Sequence, residues 1–256
     1  MLLNVDIRQA GYAGEDILKN IRFNLLPGRI MAVIGPNGSG KTTLIRALSG
    51  VLPRVEGQVH INGTNLLGAS QAERARLLSV VPQSTHIPPA FSVEEVVMLG
   101  RTPYLNWLGR SSQRDTETAE KAMHRADVLH LRGCLCGELS SGERQRVILA
   151  RALAQDTPVM LMDEPTSHLD LRYQVEFLEL VAKLAIENCK TVLAALHDLN
   201  LASQFGDEVL AMKDGETAAL GSTAEILTAA MIERIYGLPV EVFDAPSRQR
   251  RVIIPA

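Results

Sequence analysis

The stretch that decides the fold is Gly35-Pro36-Asn37-Gly38-Ser39-Gly40-Lys41-Thr42-Thr43. An apolar run at residues 29–34 precedes it and is typical of a buried strand, and the amphipathic residues 44–52 that follow predict a helix. The glycines allow the backbone to turn its N–H groups inward around an anion at the start of that helix. The stretch therefore predicts a phosphate-binding loop (P-loop) between a strand and a helix.

Two side chains of this loop carry the chemistry that a polyphosphate needs. Lys41 supplies a positive charge for the β- and γ-phosphates, and the hydroxyl of Thr42 can ligate Mg²⁺. The spacing G-x-x-x-x-G-K-[ST] favours a nucleotide site over the alternative, a glycine-rich turn with an incidental lysine. We expect the whole stretch to line that site, with Gly35, Asn37, Gly38, Ser39, Gly40 and Thr43 beside Lys41 and Thr42.

Composition and charge are those of an ordinary soluble globular protein. The chain has 256 residues, of which 46% are hydrophobic and 21% charged. A net charge of -3 gives no electrostatic reason to expect nucleic acid as the main partner. No apolar run approaches the roughly 20 residues that cross a bilayer, and the N-terminus lacks a signal-peptide pattern, so we expect a cytosolic protein.

The order of the predicted elements indicates an α/β fold. Alternating segments at residues 2–8, 17–26 and 57–62 predict an antiparallel β subdomain. After residue 86 helical patterns dominate, with predicted helices at 93–99 and 113–131 and a loop at 102–112 between them. Further along, we expect helices at 143–154, 173–186 and 224–236, strands at 159–162 and 191–196, and a hairpin around Asp214-Gly215.

These elements predict a single domain over residues 1–256. Its core, with a mixed parallel sheet and the antiparallel β subdomain, is expected over residues 1–84 and 158–256. An inserted α-helical subdomain is expected over about 85–157.

An acidic pair, Asp163 and Glu164, follows the apolar strand predicted at residues 159–162. Ligands of open α/β sheets bind at the edge where parallel strands end. Asp163 can hold the Mg²⁺ shell opposite Thr42, and Glu164 can orient or deprotonate a water that attacks a γ-phosphate. The pair therefore predicts a site for nucleotide hydrolysis.

Two other polar residues end predicted strands at the same edge. His197 follows residues 191–196 and can hydrogen-bond a γ-phosphate, although a capping or core histidine is the alternative. The amide of Gln83 can contact Mg²⁺ or water. We expect both side chains near the acidic pair.

A second anion site is indicated at Ser140-Ser141-Gly142, where a predicted helix begins. Free N–H groups and the positive dipole end of a helix favour phosphate, although a serine cap without a ligand is the usual interpretation. Taken alone, the residues do not explain why one chain carries two such sites.

Over nearly its whole length the sequence resembles the ATP-binding subunit of ABC transporters. Residues 35–43 resemble the Walker A motif, 159–164 the Walker B motif with its catalytic glutamate, and 139–143 the family signature. The resemblance implies catalytic roles for Glu164, His197 and Gln83, and Mg²⁺ ligation by Thr42, Gln83 and Asp163. It also implies that Tyr12 stacks on adenine and that Ser167-His168-Leu169-Asp170 is the D-loop.

The signature departs from the family's common LSGGQ at Ser141 and Glu143. The resemblance implies a head-to-tail homodimer in which Ser140, Gly142, Glu143 and Asp170 complete the ATP site of the other copy. It further implies a transmembrane permease that docks near Gln83 and residues 91–104, an indirectly linked substrate-binding protein, and a place on the cytoplasmic face of the inner membrane.

Residues 91–104 resemble the ATPases of importers for iron-siderophore complexes, haem and cobalamin, with molybdate and other small-ligand importers as alternatives. A soluble ABC ATPase of DNA repair, translation or iron–sulfur assembly is the alternative from another class. A monomeric P-loop kinase would leave the signature unexplained.

Overall fold

The computed structural model describes residues 3–12, 14–83, 87–245 and 250–256. The strands are β1 (Leu3–Tyr12), β2 (Glu15–Leu25), β3 (Ile30–Ile34), β4 (Arg54–Ile61), β5 (Thr64–Asn65), β6 (Leu78–Val81), β7 (Val159–Asp163), β8 (Thr191–Ala195), β9 (Glu208–Lys213), β10 (Glu216–Ser222), β11 (Val240–Ala245) and β12 (Arg250–Pro255). The α-helices are α1 (Lys41–Ser49), α2 (Gln71–Leu77), α3 (Val93–Met98), α4 (Gln113–Arg125), α5 (Ser141–Ala154), α6 (Leu171–Glu187), α7 (Leu199–Phe205), α8 (Thr223–Ile226) and α9 (Ala229–Tyr236).

The central sheet forms from the most apolar segments of the chain. Its strand order is β10-β9-β3-β8-β7-β6, and every pair is parallel except β10 with β9. Every residue of β3, β7 and β8 is buried, which explains why these strands have continuous apolar runs rather than alternating patterns. The predicted mixed parallel sheet is confirmed.

A separate antiparallel sheet, in the order β2-β1-β4-β5, covers one side of the core. Its alternating side chains pack with α1 and one face of the central sheet in a single hydrophobic cluster. This arrangement confirms the predicted antiparallel β part and places β1 and β2 beside the P-loop.

The helices between β6 and β7 are held together by a buried ion pair. Arg101 follows α3 in a 3₁₀ segment, Leu99–Tyr104, and its guanidinium lies 2.8 Å from the carboxylate of Asp115 on α4. The same guanidinium donates to the carbonyl of Ala154 at the end of α5, at 2.7 Å. The helical part is present as predicted, but its expected start near residue 85 lies outside the described residues.

Several predicted boundaries were wrong. The helix after the P-loop was expected at 44–52 but begins at Lys41 and ends at Ser49, because Gly50 adopts a left-handed conformation that stops it. The helix expected at 113–131 ends at Arg125, and Asp127 has a φ of 57°. Part of the loop expected at 102–112 belongs to the 3₁₀ segment.

A C-terminal hairpin of β11 and β12 was not predicted. Its strands pair antiparallel, and β12 lies on α7. There the side chain of Asn200 donates to the carbonyl of Ile253 at 3.1 Å and accepts from its N–H at 2.8 Å. The hairpin therefore extends the core beside the helix that follows His197.

Candidate functional site

The P-loop runs from the end of β3 to the start of α1. Gly35, Gly38 and Gly40 have φ values of 150°, 81° and 99°, a region that other residues rarely adopt. A Cβ at position 35 would also lie 2.2 Å from the carbonyl oxygen of Met212. Only glycine fits there, because the loop turns sharply beside β9.

Lys41 is buried and points back into the loop. Its Nζ donates to the carbonyl oxygens of Gly35 at 2.8 Å and Pro36 at 3.2 Å. Burial lowers the pKa of Lys41, while the nearby charges of Glu164 and Asp163 act in the opposite direction. The loop thus holds a positive charge at its centre, where a polyphosphate can contact it.

The rim and floor of the loop offer further polar groups. Asn37 and Gly38 are exposed, whereas Thr43 is buried. The Oγ of Ser39 is buried without a hydrogen-bond partner among the described residues, and a buried hydroxyl normally has one. A ligand atom in the loop would satisfy it.

Thr42 and Asp163 meet in front of the loop. The Thr42 hydroxyl donates to Oδ1 of Asp163 at 3.0 Å. Burial raises the pKa of Asp163 despite this bond, and the negative charge of Glu164 raises it further. A hydroxyl beside a buried carboxylate fits Mg²⁺, which takes oxygen ligands from one or two carboxylates and from substrate phosphates.

Glu164 lies between the ends of three strands. Its two carboxylate oxygens contact Nε2 of Gln83 and Nε2 of His197, each at 2.5 Å. Its backbone is in a left-handed conformation, with φ 47°, and its N–H donates to the carbonyl of Ala195 at 3.1 Å. The structure therefore brings together the three residues that were expected at this edge, around a carboxylate that is 8% exposed.

Tyr12 lies at the end of β1 with 37% of its surface exposed. Its hydroxyl accepts a hydrogen bond from Nη1 of Arg46 on α1, at 2.7 Å. The ring is thus tied to the helix that leaves the P-loop. It is exposed enough to stack on a base.

The signature residues stand apart from the P-loop. Ser140 caps α5, and its Oγ and N–H donate to the carboxylate of Glu143 at 2.7 and 2.8 Å. Gly142 is buried, and a Cβ there would lie 3.3 Å from the ring of Tyr173. Asp170 is exposed at the start of α6.

The cavity beside the P-loop, of about 830 Å³, is lined among the described residues by Thr42, Gln83 and Asp163 but by none of the four signature and D-loop residues. Within the part of the chain that the structure describes, no group of three or more His, Cys, Asp or Glu residues forms a metal site. Sequence reasoning also missed Tyr236, whose hydroxyl contacts Gly35. No sequence signal joins these two residues, because they lie 201 positions apart.

This constellation, a glycine loop with a buried lysine facing a Walker-type acidic pair, can be compared with known families. The model of the family described as "ABC transporter" matches residues 18–167. This chain belongs to the ABC transporter family. As an ABC protein it is an ATP-binding ATPase, which confirms the family and the activity expected from its sequence.

Curated relatives match nearly the whole length of this ABC protein. The hemin import ATP-binding protein HmuV of Pseudomonas entomophila is 42% identical over 258 residues, which span 99% of each chain. The ferric enterobactin transport ATP-binding protein FepC of Escherichia coli is 37% identical over 245 residues, 96% of this chain and 90% of FepC.

Solved structures share its fold. A chain from the inward-facing structure of a metal-chelate type ABC transporter is 28% identical with a TM-score of 0.85, and the match covers 100% of this chain and 97% of that one. A dimeric bacterial ABC transporter cassette is 28% identical with a TM-score of 0.73, over 87% and 99% of the two chains. In the described parts of the ABC chain, no helix is both long enough and apolar enough to span a membrane.

Proposed function

We propose that this ABC ATPase powers an importer for an iron-siderophore complex, haem or cobalamin, as a peripheral subunit on the cytoplasmic face of the membrane. The observation that carries hydrolysis is the contact of Glu164 with both Gln83 and His197 next to the Thr42–Asp163 pair. Relatives named for ferric enterobactin transport and hemin import support the cargo class.

Each residue of the site has a separate role in the hydrolysis of ATP. Lys41 and the P-loop N–H groups hold the β- and γ-phosphates, and Tyr12 offers its ring to adenine. Thr42 and Asp163, with Gln83, would hold Mg²⁺, which supplies neutralisation of phosphate charge. Glu164 accepts the proton of the attacking water while the water oxygen bonds to the γ-phosphorus and the bond to the β-phosphate oxygen breaks.

His197 lies next to that reaction. Its Nε2 contacts Glu164 and so orients the carboxylate. If the Nε2–H turned from Glu164 to a γ-phosphate oxygen, it would donate to that oxygen instead. Gln83 holds the other carboxylate oxygen. We infer that both residues position the general base.

The active unit in this proposal is a homodimer. Ser140 of one copy would face the ATP held by the P-loop of the other, because in a single chain its hydroxyl is engaged with Glu143 and it lies outside the cavity next to Thr42. Gly142, Glu143 and Asp170 would belong to the same shared surface. Hydrolysis would then require closure of the dimer.

The same cavity of about 830 Å³ offers a docking site for the permease. It lies between α1 and α2 on one side and α5 on the other, and its lining includes Arg46, Arg74 and Arg151. Burial lowers the pKa of Arg151, and no carboxylate within the described residues is paired with it. A short cytoplasmic segment of the permease with an acidic side chain fits this basic groove, and a substrate-binding protein would act only through that permease.

Substitution of Glu164 by Gln tests the hydrolytic role. We expect the variant to bind ATP, to lose turnover by 100-fold or more, on the order of a lost general base, and to accumulate an ATP-bound dimer. Phosphate release and size-exclusion chromatography with ATP measure both effects. Glu187→Gln, an exposed carboxylate on α6, is the matched control. Turnover at the wild-type rate in Glu164→Gln would contradict the assignment.

Purification of the tagged protein from membranes tests the partner. We expect a polytopic permease to co-purify, and we expect Arg74→Glu to reduce its recovery while Arg22→Glu, on the antiparallel sheet, does not. Recovery of ribosomal or DNA-repair proteins instead would favour a soluble ABC ATPase.

A further inference from the structure

The C-terminal helix α9 reaches the P-loop through one hydrogen bond. The N–H of Gly35, the first residue of the loop, donates to the hydroxyl of Tyr236 at 2.9 Å. We infer that Tyr236 is a positioning residue of the nucleotide site. It would hold the entry of the P-loop in the orientation that receives phosphate.

Gly35 has no side chain that could hold its own backbone in place. It lacks a Cβ and has a φ of 150°, a conformation that residues with side chains rarely adopt. The peptide before it is fixed by Tyr236, and the carbonyl after it accepts from Nζ of Lys41 at 2.8 Å. The backbone at the entry of the loop is therefore held by one hydrogen bond on each side of Gly35, and Lys41 is the partner for which phosphate competes.

Tyr236 is itself held firmly. It is the last residue of α9, which Gly237 ends in a left-handed conformation with a hydrogen bond to Glu233 of 2.7 Å. Nζ of Lys213, at the end of β9, donates to the carbonyl of Arg234 at 2.8 Å. The ring therefore approaches the P-loop from a helix end that is tied to the central sheet.

The hairpin that follows fixes α9 from the other side. β11 follows α9 and packs against it, and its partner β12 is attached to α7 by the paired hydrogen bonds of Asn200 with Ile253. The N–H of Arg251 also donates to Oγ of Ser203 on α7, at 3.0 Å. A continuous path of contacts thus leads from the helix after His197, through the hairpin and α9, to the P-loop.

This inference rests on the proposed nucleotide site. Without the Tyr236 hydroxyl, the Gly35 N–H loses its partner, and the P-loop spends a smaller fraction of time in the binding conformation. The apparent affinity for nucleotide falls in proportion to the fraction of molecules whose P-loop is in the binding conformation. A tyrosine that merely fills space would leave nucleotide affinity unchanged when only its hydroxyl is removed.

Tyr236→Phe removes the hydroxyl and retains the ring. We expect its affinity for ADP and for a non-hydrolysable ATP analogue, both with Mg²⁺, to fall about three- to tenfold in calorimetric titrations, the size of one lost hydrogen bond. Thr223→Val is the matched control, because it removes a hydroxyl bond to the carbonyl of Gly206 at 2.8 Å in the same part of the chain. It should bind nucleotide like the wild type.

Hydrogen exchange gives an independent readout. In nucleotide-free Tyr236→Phe, we expect the peptide that covers residues 30–41 to exchange faster than in the wild type, and saturating ADP to restore its protection. Wild-type affinity in Tyr236→Phe, with or without a lower unfolding temperature, would overturn the positioning role.

Nucleotide binding by Lys41→Ala distinguishes the positioning role of Tyr236 from the proposed nucleotide site at the P-loop. If Lys41→Ala loses affinity and Tyr236→Phe does not, the positioning role alone is wrong. If neither loses affinity, the P-loop assignment fails as well.

Discussion

Glu143 places a carboxylate at the N-terminus of α5, where the family signature commonly has glutamine. The carboxylate accepts from the N–H and the hydroxyl of Ser140, and these bonds, the hydroxyl's first, lower its pKa. It therefore stays charged at the surface that would meet the γ-phosphate of a second copy. The same geometry that stabilises the helix opposes the approach of an anion.

Glu143→Gln is expected to strengthen the ATP-bound dimer. Glutamine at this position still supports the capping box, so the free energy of unfolding should change little. Removal of one charge near a phosphate is expected to lower the ATP concentration needed for dimerisation about two- to fivefold. The measurement is chromatography of the double variant with Glu164→Gln.

Glu225→Gln is the control for that change. Glu225 forms an identical capping box with Ser222, with distances of 2.8 and 2.7 Å, on α8. If Glu225→Gln lowered the ATP concentration needed for dimerisation as much as Glu143→Gln, the effect would not depend on which capping carboxylate is removed. That result would contradict a special role for Glu143.

Lys190 makes stability depend on pH. It is 6% exposed, and burial lowers its pKa from 10.5 to about 8, although its Nζ donates to the carbonyl of Thr157 at 2.5 Å. Between pH 8 and 10.5 the unfolded chain holds a proton on this lysine that the folded chain has released. The free energy of unfolding therefore rises with pH in this window, and the cost of burying the charge is fully present below it.

Lys190→Met should remove that contribution. Compared with the wild type, the variant should show a shallower rise of the free energy of unfolding between pH 8 and 10.5, by up to about 1.4 kcal/mol per pH unit, when urea unfolding is followed at each pH. Lys183→Met, an exposed lysine on α6, is the control and should keep the wild-type slope. Equal slopes for the wild type and Lys190→Met would contradict the burial argument.

At the scale of elements, the ion pair of Arg101 and Asp115 connects three helical segments. Both side chains are 5% exposed, and the Arg101 guanidinium also lies 3.9 Å from the ring centroid of Tyr104. Burial on its own raises the pKa of Asp115, but hydrogen bonds from Ser112 and Arg101 hold it below its usual value. Loss of one partner leaves a buried charge without compensation.

Asp115→Asn is expected to lower the free energy of unfolding by about 3–5 kcal/mol, because the buried guanidinium of Arg101 then stays charged without a counter-charge. Asp6→Asn is the matched control, since it breaks an exposed pair with Arg22 at 2.9 Å and should cost less than about 1 kcal/mol. Urea unfolding measures both. Similar losses of unfolding free energy in the two variants would show that the buried pair contributes no more to stability than the exposed pair.

The elements that were predicted most accurately from the sequence are those whose local residue pattern matches their environment in the fold. The strands β3, β7 and β8 read as apolar runs because both of their faces are buried, and the P-loop glycines follow from backbone sterics alone. The meeting of Glu164 with Gln83 and His197 followed from one rule, that parallel strands end at one edge.

Features that depend on long-range contacts were missed. The helix expected at 113–131 keeps its periodicity beyond Arg125, but the chain turns at Asp127 to place the next segment against α5. β11 and β12 are short, half-exposed strands that are stabilised by α7, so their own residues give a weak signal. The contact of Tyr236 with Gly35 depends on the same long-range packing of the C-terminal segment, and no local sequence pattern indicates it.

At the scale of the whole molecule, the single chain separates two anion sites that the proposed reaction needs together. The P-loop lies at the end of β3, and Ser140 caps a helix of the inserted part, with its hydroxyl bonded to Glu143. Two copies arranged head to tail would bring each P-loop to the signature of the other. A mixture of two inactive variants can distinguish this arrangement from two independent sites.

Lys41→Ala inactivates the P-loop, and Ser140→Asp places a negative charge at the signature while aspartate still caps α5. When the two variants are mixed, each mixed dimer contains one site with an intact P-loop from one chain and an intact signature from the other. We expect phosphate release to rise above the mean of the two separate variants.

The control is a mixture of Lys41→Ala with Glu164→Gln. Lys41 and Glu164 act on the same bound nucleotide from the same chain, through the P-loop and the end of β7, so no mixed dimer contains an intact site. Phosphate release by this mixture should then stay at the mean of the two separate variants. Recovery in this control, or none in the Ser140→Asp mixture, would contradict a site shared across the dimer, because only residues contributed by different chains can complement each other.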